Sequence, residues 1–133
     1  MTLARHKIRQ GAFQALFAIQ SNLDANPTEV CRQISKEEFG EESIPEYMWT
    51  LVQGVSQHQV ELDPLIAKHL NTNWSLDRLN KTDLLILRVA VYEMKFQDQV
   101  PNKVALDEAL ELAKVFSDDQ SRRFINGVLS NFL

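Results

Sequence analysis

The stretch L84-L-I-L-R-V-A-V-Y92 is apolar at every position except Arg88 and the hydroxyl end of Tyr92. A helix that is apolar almost all round must be enclosed by neighbouring elements, because no side of it is suited to water. We therefore expect residues 84–92 to form a buried helix at the centre of the carboxy-terminal half. The rest of the chain then has to supply the helices or strands that cover it.

The flanking sequence favours helices as that cover. No segment alternates apolar and polar residues over the length of a strand, and no two-residue turn separates two apolar runs. Pro27, Pro45 and Pro64 instead stand where a first helical turn would begin. Apolar spacing predicts helices at about 3–20, 27–38, 45–61, 63–71, 75–96 with a break near Asn80, 103–116 and 119–131.

These segments predict an all-α fold, a compact bundle of about seven helices. The 133 residues suit a single domain covering 1–133. A seam in this bundle is expected near residues 70–75.

Composition narrows the class of protein. The net charge of −4 argues against a protein that coats nucleic acid indiscriminately. The single cysteine, Cys31, rules out an internal disulfide and a thiolate-based zinc site. Neither an export signal nor a run of about 20 apolar residues is present, so we expect a cytoplasmic protein that does not enter a membrane.

The sequence gives little support to an enzymatic function. It has no glycine-rich phosphate loop, no nucleophile elbow and no metalloprotease motif. His6, His58 and His69 lack metal-ligand spacing, and the glutamate pairs around Gly40 are typical of a solvated loop. We expect no catalytic residue and no metal.

The first helix combines positive charge with an aromatic residue that its apolar stripe does not include. Arg5, His6, Lys7 and Arg9 all precede the first acidic residue, Asp24, so a polyanion would be met there. The stripe runs through Ile8, Ala12, Ala15, Leu16 and Ile19, and Phe17 points almost the opposite way. The pattern leaves two interpretations open, a second internal packing face or an aromatic available to a partner.

The last helix raises the same question at Phe124. Ile125, Val128, Leu129 and Phe132 form its apolar stripe, and Phe124 lies on the shoulder directly after Arg122 and Arg123. An aromatic beside arginines can stack on an unpaired base while the guanidinium groups bind phosphates. Spacing equally allows Phe124 to cover a neighbouring helix.

Three segments of the chain resemble the NusB family of transcription antitermination factors. They are R5-H-K-I-R-Q-G-A-F-Q-A-L-F17, W74-S-L-D-R-L-N-K-T-D-L-L-I-L-R-V-A-V-Y-E93, and V100-P-N-K-V-A-L-D-E-A-L-E-L-A-K-V-F116 followed by S121-R-R-F-I-N-G-V-L129. Residues from about 21 to 70 match by helical pattern alone.

The resemblance implies an all-helical fold of two small packed sub-bundles, roughly 1–71 and 74–133. It also implies a non-enzymatic, RNA-binding protein without a cofactor. Such a protein binds the boxA element of nascent transcripts, notably of rRNA operons, together with the ribosomal protein NusE. The pair acts within the RNA polymerase antitermination complex to promote read-through of terminators.

The resemblance also implies roles for individual residues. Arg5, His6, Lys7 and Arg9 match a basic RNA-facing segment, and Gln120, Arg122, Arg123 and Phe124 match a second RNA-contacting surface. Phe17, Asp77 and Asp83 match positions that face the ribosomal partner. Relatives often carry a denser arginine run at the start and an acidic residue where this chain has Gln120, two differences with opposite effects on RNA affinity.

Two other functions fit the same residues. The chain could be a helical adaptor that forms a homodimer through Phe13 and Phe17 without RNA. It could also be a fragment of an RNA methyltransferase, because a similar helical domain precedes such catalytic domains.

Overall fold

The computed structural model describes residues 3–71 and 75–133, and in these ranges the regular elements are all helical. The six α-helices are α1 (Arg5–Ser21), α2 (Pro27–Phe39), α3 (Glu46–Ala67), α4 (Lys81–Phe96), α5 (Asn102–Phe116) and α6 (Asp119–Leu129). Single 3₁₀ turns occur at Leu76–Arg78 and Ser130–Phe132. The predicted all-α class is confirmed, and the break expected near Asn80 is present because the Asn80 side chain caps α4.

One predicted helix boundary is wrong, so the described residues form six α-helices where about seven helices were predicted. The segments 45–61 and 63–71 were expected to be separate helices, whereas α3 runs through Pro64. Proline cannot donate a hydrogen bond to the carbonyl four residues earlier, that of Val60. Val60 is 85% exposed, so the interrupted turn faces solvent, while Leu62 and Ile66 are fully buried and hold the helix in place.

Contacts between residues divide the chain into two units, Met1–Ser56 and Gln57–Leu133. In the first, α1 packs on α2; in the second, α4, α5 and α6 pack on one another. The seam predicted near residues 70–75 falls largely on 72–74, which lie outside the described residues, as does Trp74 at the start of the second resembling segment. The single domain with its two sub-bundles stays a prediction.

Helix α4 is the buried element that the opening stretch predicts. Every residue from Leu85 to Tyr92 is buried. Arg88 is accommodated by a bidentate ion pair, in which its Nε donates to Asp63 Oδ1 at 2.8 Å and its Nη2 to Asp63 Oδ2 at 2.9 Å. The one charge in the stretch is therefore matched by a carboxylate within the second unit.

Within the described ranges, none of the helices is both long enough and apolar enough to cross a membrane.

Candidate nucleic-acid interface

The basic segment of α1 presents three cationic or titratable side chains to solvent. Arg5, His6 and Lys7 are exposed, and the first turn of α1 contains no acidic residue. The amino end of a helix also carries a partial positive charge, which adds to that of the side chains. This end of the first unit is suited to an anion.

Arg9, in the same segment, is placed differently. It is buried, with 3% of its surface exposed, and its guanidinium carbon lies 5.9 Å from the centre of the Tyr47 ring. Its expected part in RNA binding stays a prediction, which the buried position does not favour.

Helix α6 in the second unit separates its apolar and polar sides as its spacing predicts. Asp118 caps its amino end by accepting a hydrogen bond from the Ser121 amide at 2.8 Å. Ile125, Val128 and Leu129 are buried. Four residues of α6 and its first turn are expected to bind RNA. Gln120, Arg122 and Arg123 are exposed, and Phe124 is partly buried.

The two arginines line an open groove. Its volume is about 350 Å³, and its walls are Leu110, Asp119, Arg122, Arg123 and Asn126. In the part of the chain that the structure describes, neither arginine forms an ion pair with a carboxylate. Both guanidinium groups can therefore bind phosphate without first breaking a salt bridge.

Phe124 lines a second cavity. That cavity has a volume of about 300 Å³ and is lined by Arg78, Leu79, Asn80, Asp83, Asp118, Gln120, Ser121 and Phe124. The ring is thus neither fully in the core nor fully in solvent. The structure brings Phe124 and Gln120, expected to bind RNA, to the same cavity as Asp83, expected to bind the protein partner.

Asp83 is held by a hydrogen-bond network inside this cavity. Its Oδ2 accepts from Ser121 Oγ at 3.0 Å and from Asn80 Nδ2 at 3.2 Å, and its amide donates to Asn80 Oδ1 at 2.7 Å. Burial raises the pKa of Asp83 above its ordinary value of 3.8, and the negative charge of Asp118 raises it further, while the hydroxyl of Ser121 opposes both. This carboxyl group ties the start of α4 to the start of α6.

The three residues expected to face a protein partner differ in accessibility. Phe17 is 37% exposed, and its ring centroid lies 6.0 Å from that of the buried Phe13. Asp77 is exposed, whereas Asp83 is only 7% exposed. The described geometry therefore leaves Phe17 and Asp77 open to a partner and gives Asp83 a role in the fold; the partner role of all three stays a prediction.

Sequence reasoning did not identify several residues of these surfaces. Arg78 lines the Phe124 cavity, and Tyr47 contacts the basic segment of α1 from a different helix. The pattern N80-K-T-D83 at the start of α4 is a recognisable capping signal and could have indicated that Asp83 is engaged at a helix end. No local pattern could have indicated Tyr47.

Comparison with known proteins decides the family. The NusB family model matches residues 6–133, nearly the whole chain. The chain belongs to the NusB family. The resemblance drawn from the three sequence segments is thereby confirmed.

Curated relatives in this family share about half of their residues with the chain. The transcription antitermination protein NusB of Lactiplantibacillus plantarum is 55% identical over 97% of this chain and 94% of its own length. That of Ligilactobacillus salivarius is 48% identical over the full length of both. Both are named as transcription factors rather than enzymes, in agreement with the non-enzymatic role that the sequence predicts.

Solved structures share the fold of this NusB-family chain. NusB of T. maritima superimposes with a TM-score of 0.87 at 31% identity, covering 99% of this chain and 92% of that one. A NusB solved with NusE and double-stranded RNA gives a TM-score of 0.81 at 29% identity, covering 96% of this chain and 94% of that one. In that second structure, a protein of this fold is in complex with both NusE and RNA.

Proposed function

We propose that this chain is an RNA-binding transcription antitermination factor. It binds boxA RNA with the ribosomal protein NusE, and the pair acts in the RNA polymerase antitermination complex to promote read-through and rRNA synthesis. The observation that carries the proposal is family membership joined to a structural relative solved with NusE and RNA. A role in bacterial transcription would place the protein in the cytoplasm.

The two surfaces described above supply the chemistry that such RNA binding requires. Arg122 and Arg123 bind phosphates from the groove beside α6, and the Phe124 ring stacks on an unpaired base. Arg5, His6 and Lys7 provide a second cationic contact from α1. Gln120, neutral and exposed, adds no repulsion next to Phe124.

Phe17 and Asp77 are the residues through which we expect NusE to be bound. A partly exposed aromatic next to a buried one can anchor a protein interface, because its ring buries a large area with little loss of conformational freedom. Exposed carboxylates attract a basic partner and accelerate association. Asp83 contributes indirectly, by fixing the start of α4.

A titration of boxA-type RNA with the protein alone and with added NusE, at several salt concentrations, tests the proposal. Replacing Arg122 and Arg123 by alanine should weaken binding and reduce the slope of log affinity against log salt by roughly 0.7 for each phosphate that is no longer bound. Arg32→Ala is the matched control, because Arg32 is an exposed arginine on α2 that pairs with Glu29. It should leave the slope nearly unchanged.

Phe124→Ala tests the stacking contact separately from charge. We expect a loss of roughly 1 to 3 kcal/mol in RNA binding with little change in melting temperature. Phe96→Ala is its control, since Phe96 is 38% exposed and stacks on His58 instead. A large fall in the melting temperature of Phe124→Ala with unchanged RNA affinity would assign Phe124 to the core.

The homodimer alternative rests on Phe17, which is partly exposed in the monomer. Size-exclusion chromatography of wild type and Phe17→Ala, with and without RNA, separates it from the leading proposal. A dimer that Phe17→Ala dissociates, together with no shift on adding boxA-type RNA, would favour the adaptor.

A further inference from the structure

Tyr47 lies against the basic segment of α1, although it is outside the segments that carry the family resemblance. It stands in the first turn of α3 and is partly buried. The guanidinium carbon of Arg5 lies 3.8 Å from the centre of the Tyr47 ring, and that of Arg9 lies 5.9 Å from it. Both distances are within the range at which a cation is attracted to an aromatic face.

A guanidinium group that lies over an aromatic ring can still bind a ligand. Its N–H bonds lie in its own plane, so a ring that covers one face leaves the edges free to donate to phosphate oxygens. The opposite face can still stack on a base. Arg5 remains exposed while it contacts Tyr47, whereas Arg9 is buried, so Arg5 is the arginine that an RNA can reach.

Stacking also restricts the motion of a long side chain. A free arginine loses rotamer freedom when it binds a ligand, and an arginine already held on a ring loses less. Lys7, exposed on the same turn, lies over no aromatic ring within residues 3–71 and 75–133. Tyr47 thus distinguishes Arg5 from its cationic neighbour.

We propose that Tyr47 is a positioning residue of the RNA interface, which holds the Arg5 guanidinium ready to bind RNA. The proposal rests on the RNA-binding function proposed above. Tyr47 acts through Arg5 and raises RNA affinity without itself carrying charge.

A double-mutant cycle measured by RNA titration tests this role. Wild type, Tyr47→Leu, Arg5→Ala and the double variant are titrated with boxA-type RNA at one salt concentration, and Tyr47→Phe is added as the conservative variant. Tyr47→Leu should weaken binding roughly 2- to 10-fold, the effect of ordering one long side chain. Tyr47→Phe keeps the ring and should retain wild-type RNA affinity. In the Arg5→Ala background, Tyr47→Leu should change RNA affinity by less than about 2-fold.

Phe132→Leu is the matched control. The Phe132 ring lies 5.9 Å from Lys95 Nζ, so this variant removes an aromatic ring near a cation, in a longer contact than that of Arg5, at a site with no expected part in RNA binding. Its RNA affinity should equal that of wild type.

The outcomes separate the positioning role from the function on which it rests. If wild type does not bind RNA, the proposed function fails. If wild type binds RNA but Arg5→Ala or Tyr47→Leu has no effect, or if Tyr47→Leu weakens binding equally with and without Arg5, the function stands and the positioning role is overturned. Should Tyr47→Leu not fold, Tyr47→Met replaces it, and failure of both to fold assigns the ring to the core.

Discussion

Breaking the ion pair between Arg88 and Asp63 from the Asp63 side should strongly destabilise the second unit. The side chain of Arg88 is 10% exposed and that of Asp63 is 23% exposed. Asp63→Ala removes the carboxylate from a guanidinium group whose side chain stays largely buried. Breaking a buried pair from one side costs ~3–5 kcal/mol, and because Asp63 is partly solvated we expect about 3 kcal/mol.

Arg88→Met should be less destabilising than Asp63→Ala. Methionine fills the apolar site with a flexible side chain, and the carboxylate that is left behind can turn toward water from its 23% exposed position. The double variant Asp63→Ala/Arg88→Met should lose less stability than the two single variants added together, because neither charge is then left buried without the other.

Urea unfolding of the four proteins, followed by circular dichroism, gives the free energies for this cycle. A loss below about 1 kcal/mol for Asp63→Ala would match an exposed pair and contradict the buried one. Additive losses in the double variant would also refute the reasoning, since they would mean that the two side chains do not stabilise each other. Arg32→Ala, which breaks an exposed pair with Glu29, should change the free energy of unfolding by less than about 1 kcal/mol.

Three further predictions concern stability. Because burial raises the pKa of Asp83, the folded state holds that proton more tightly than the unfolded state, so wild type should lose stability relative to Asp83→Asn as the pH rises from the ordinary value of 3.8 through the raised pKa. Urea unfolding at pH 4 and pH 7 measures the difference, and a difference that is constant or of opposite sign would contradict the burial argument. Gly11→Ala should destabilise the fold, by roughly 1–3 kcal/mol, because the new Cβ would lie 2.7 Å from Phe39 Cζ. Gly127→Ala, with nothing within 4 Å of its Cβ, should instead stabilise α6 by roughly 0.5–1 kcal/mol, and thermal melts of both variants check the opposite signs.

The helices and their buried sides were predictable because they depend on local spacing. The buried side of α6 and the shoulder position of Phe124 follow from the 3.6-residue period alone. The Asn80 break followed from a residue that prefers a helix start. Pro64 predicts a helix start, because proline usually breaks a helix interior. Here the interrupted turn faces solvent at the exposed Val60, and the buried Leu62 and Ile66 hold the helix together.

The candidate site was less predictable, because its accessibility depends on contacts between distant segments. Nothing near Asp83 in sequence indicates that Ser121 donates to its carboxylate from α6. Arg9 has the same charge as Arg5, yet one is buried and the other exposed. Family resemblance assigned Asp83, Arg5 and Arg9 by position, and only their surroundings distinguish an exposed residue from one that supports the fold.

The charge distribution explains how a protein with a net charge of −4 can still be suited to RNA. Exposed charges interact over about 10 Å at moderate salt, so the residues near a phosphate matter more than the total. Beside Phe124, Asp83 is buried and hydrogen-bonded, and Asp118 accepts a hydrogen bond from the amide of Ser121 at the amino end of α6. These carboxylates are partly compensated by the donors they bind, whereas Arg122 and Arg123 keep their charge exposed at the groove. Asp83 and Asp118 therefore repel a phosphate less than free carboxylates would, and Asp119, exposed in the groove wall, is the carboxylate that Arg122 and Arg123 must outweigh.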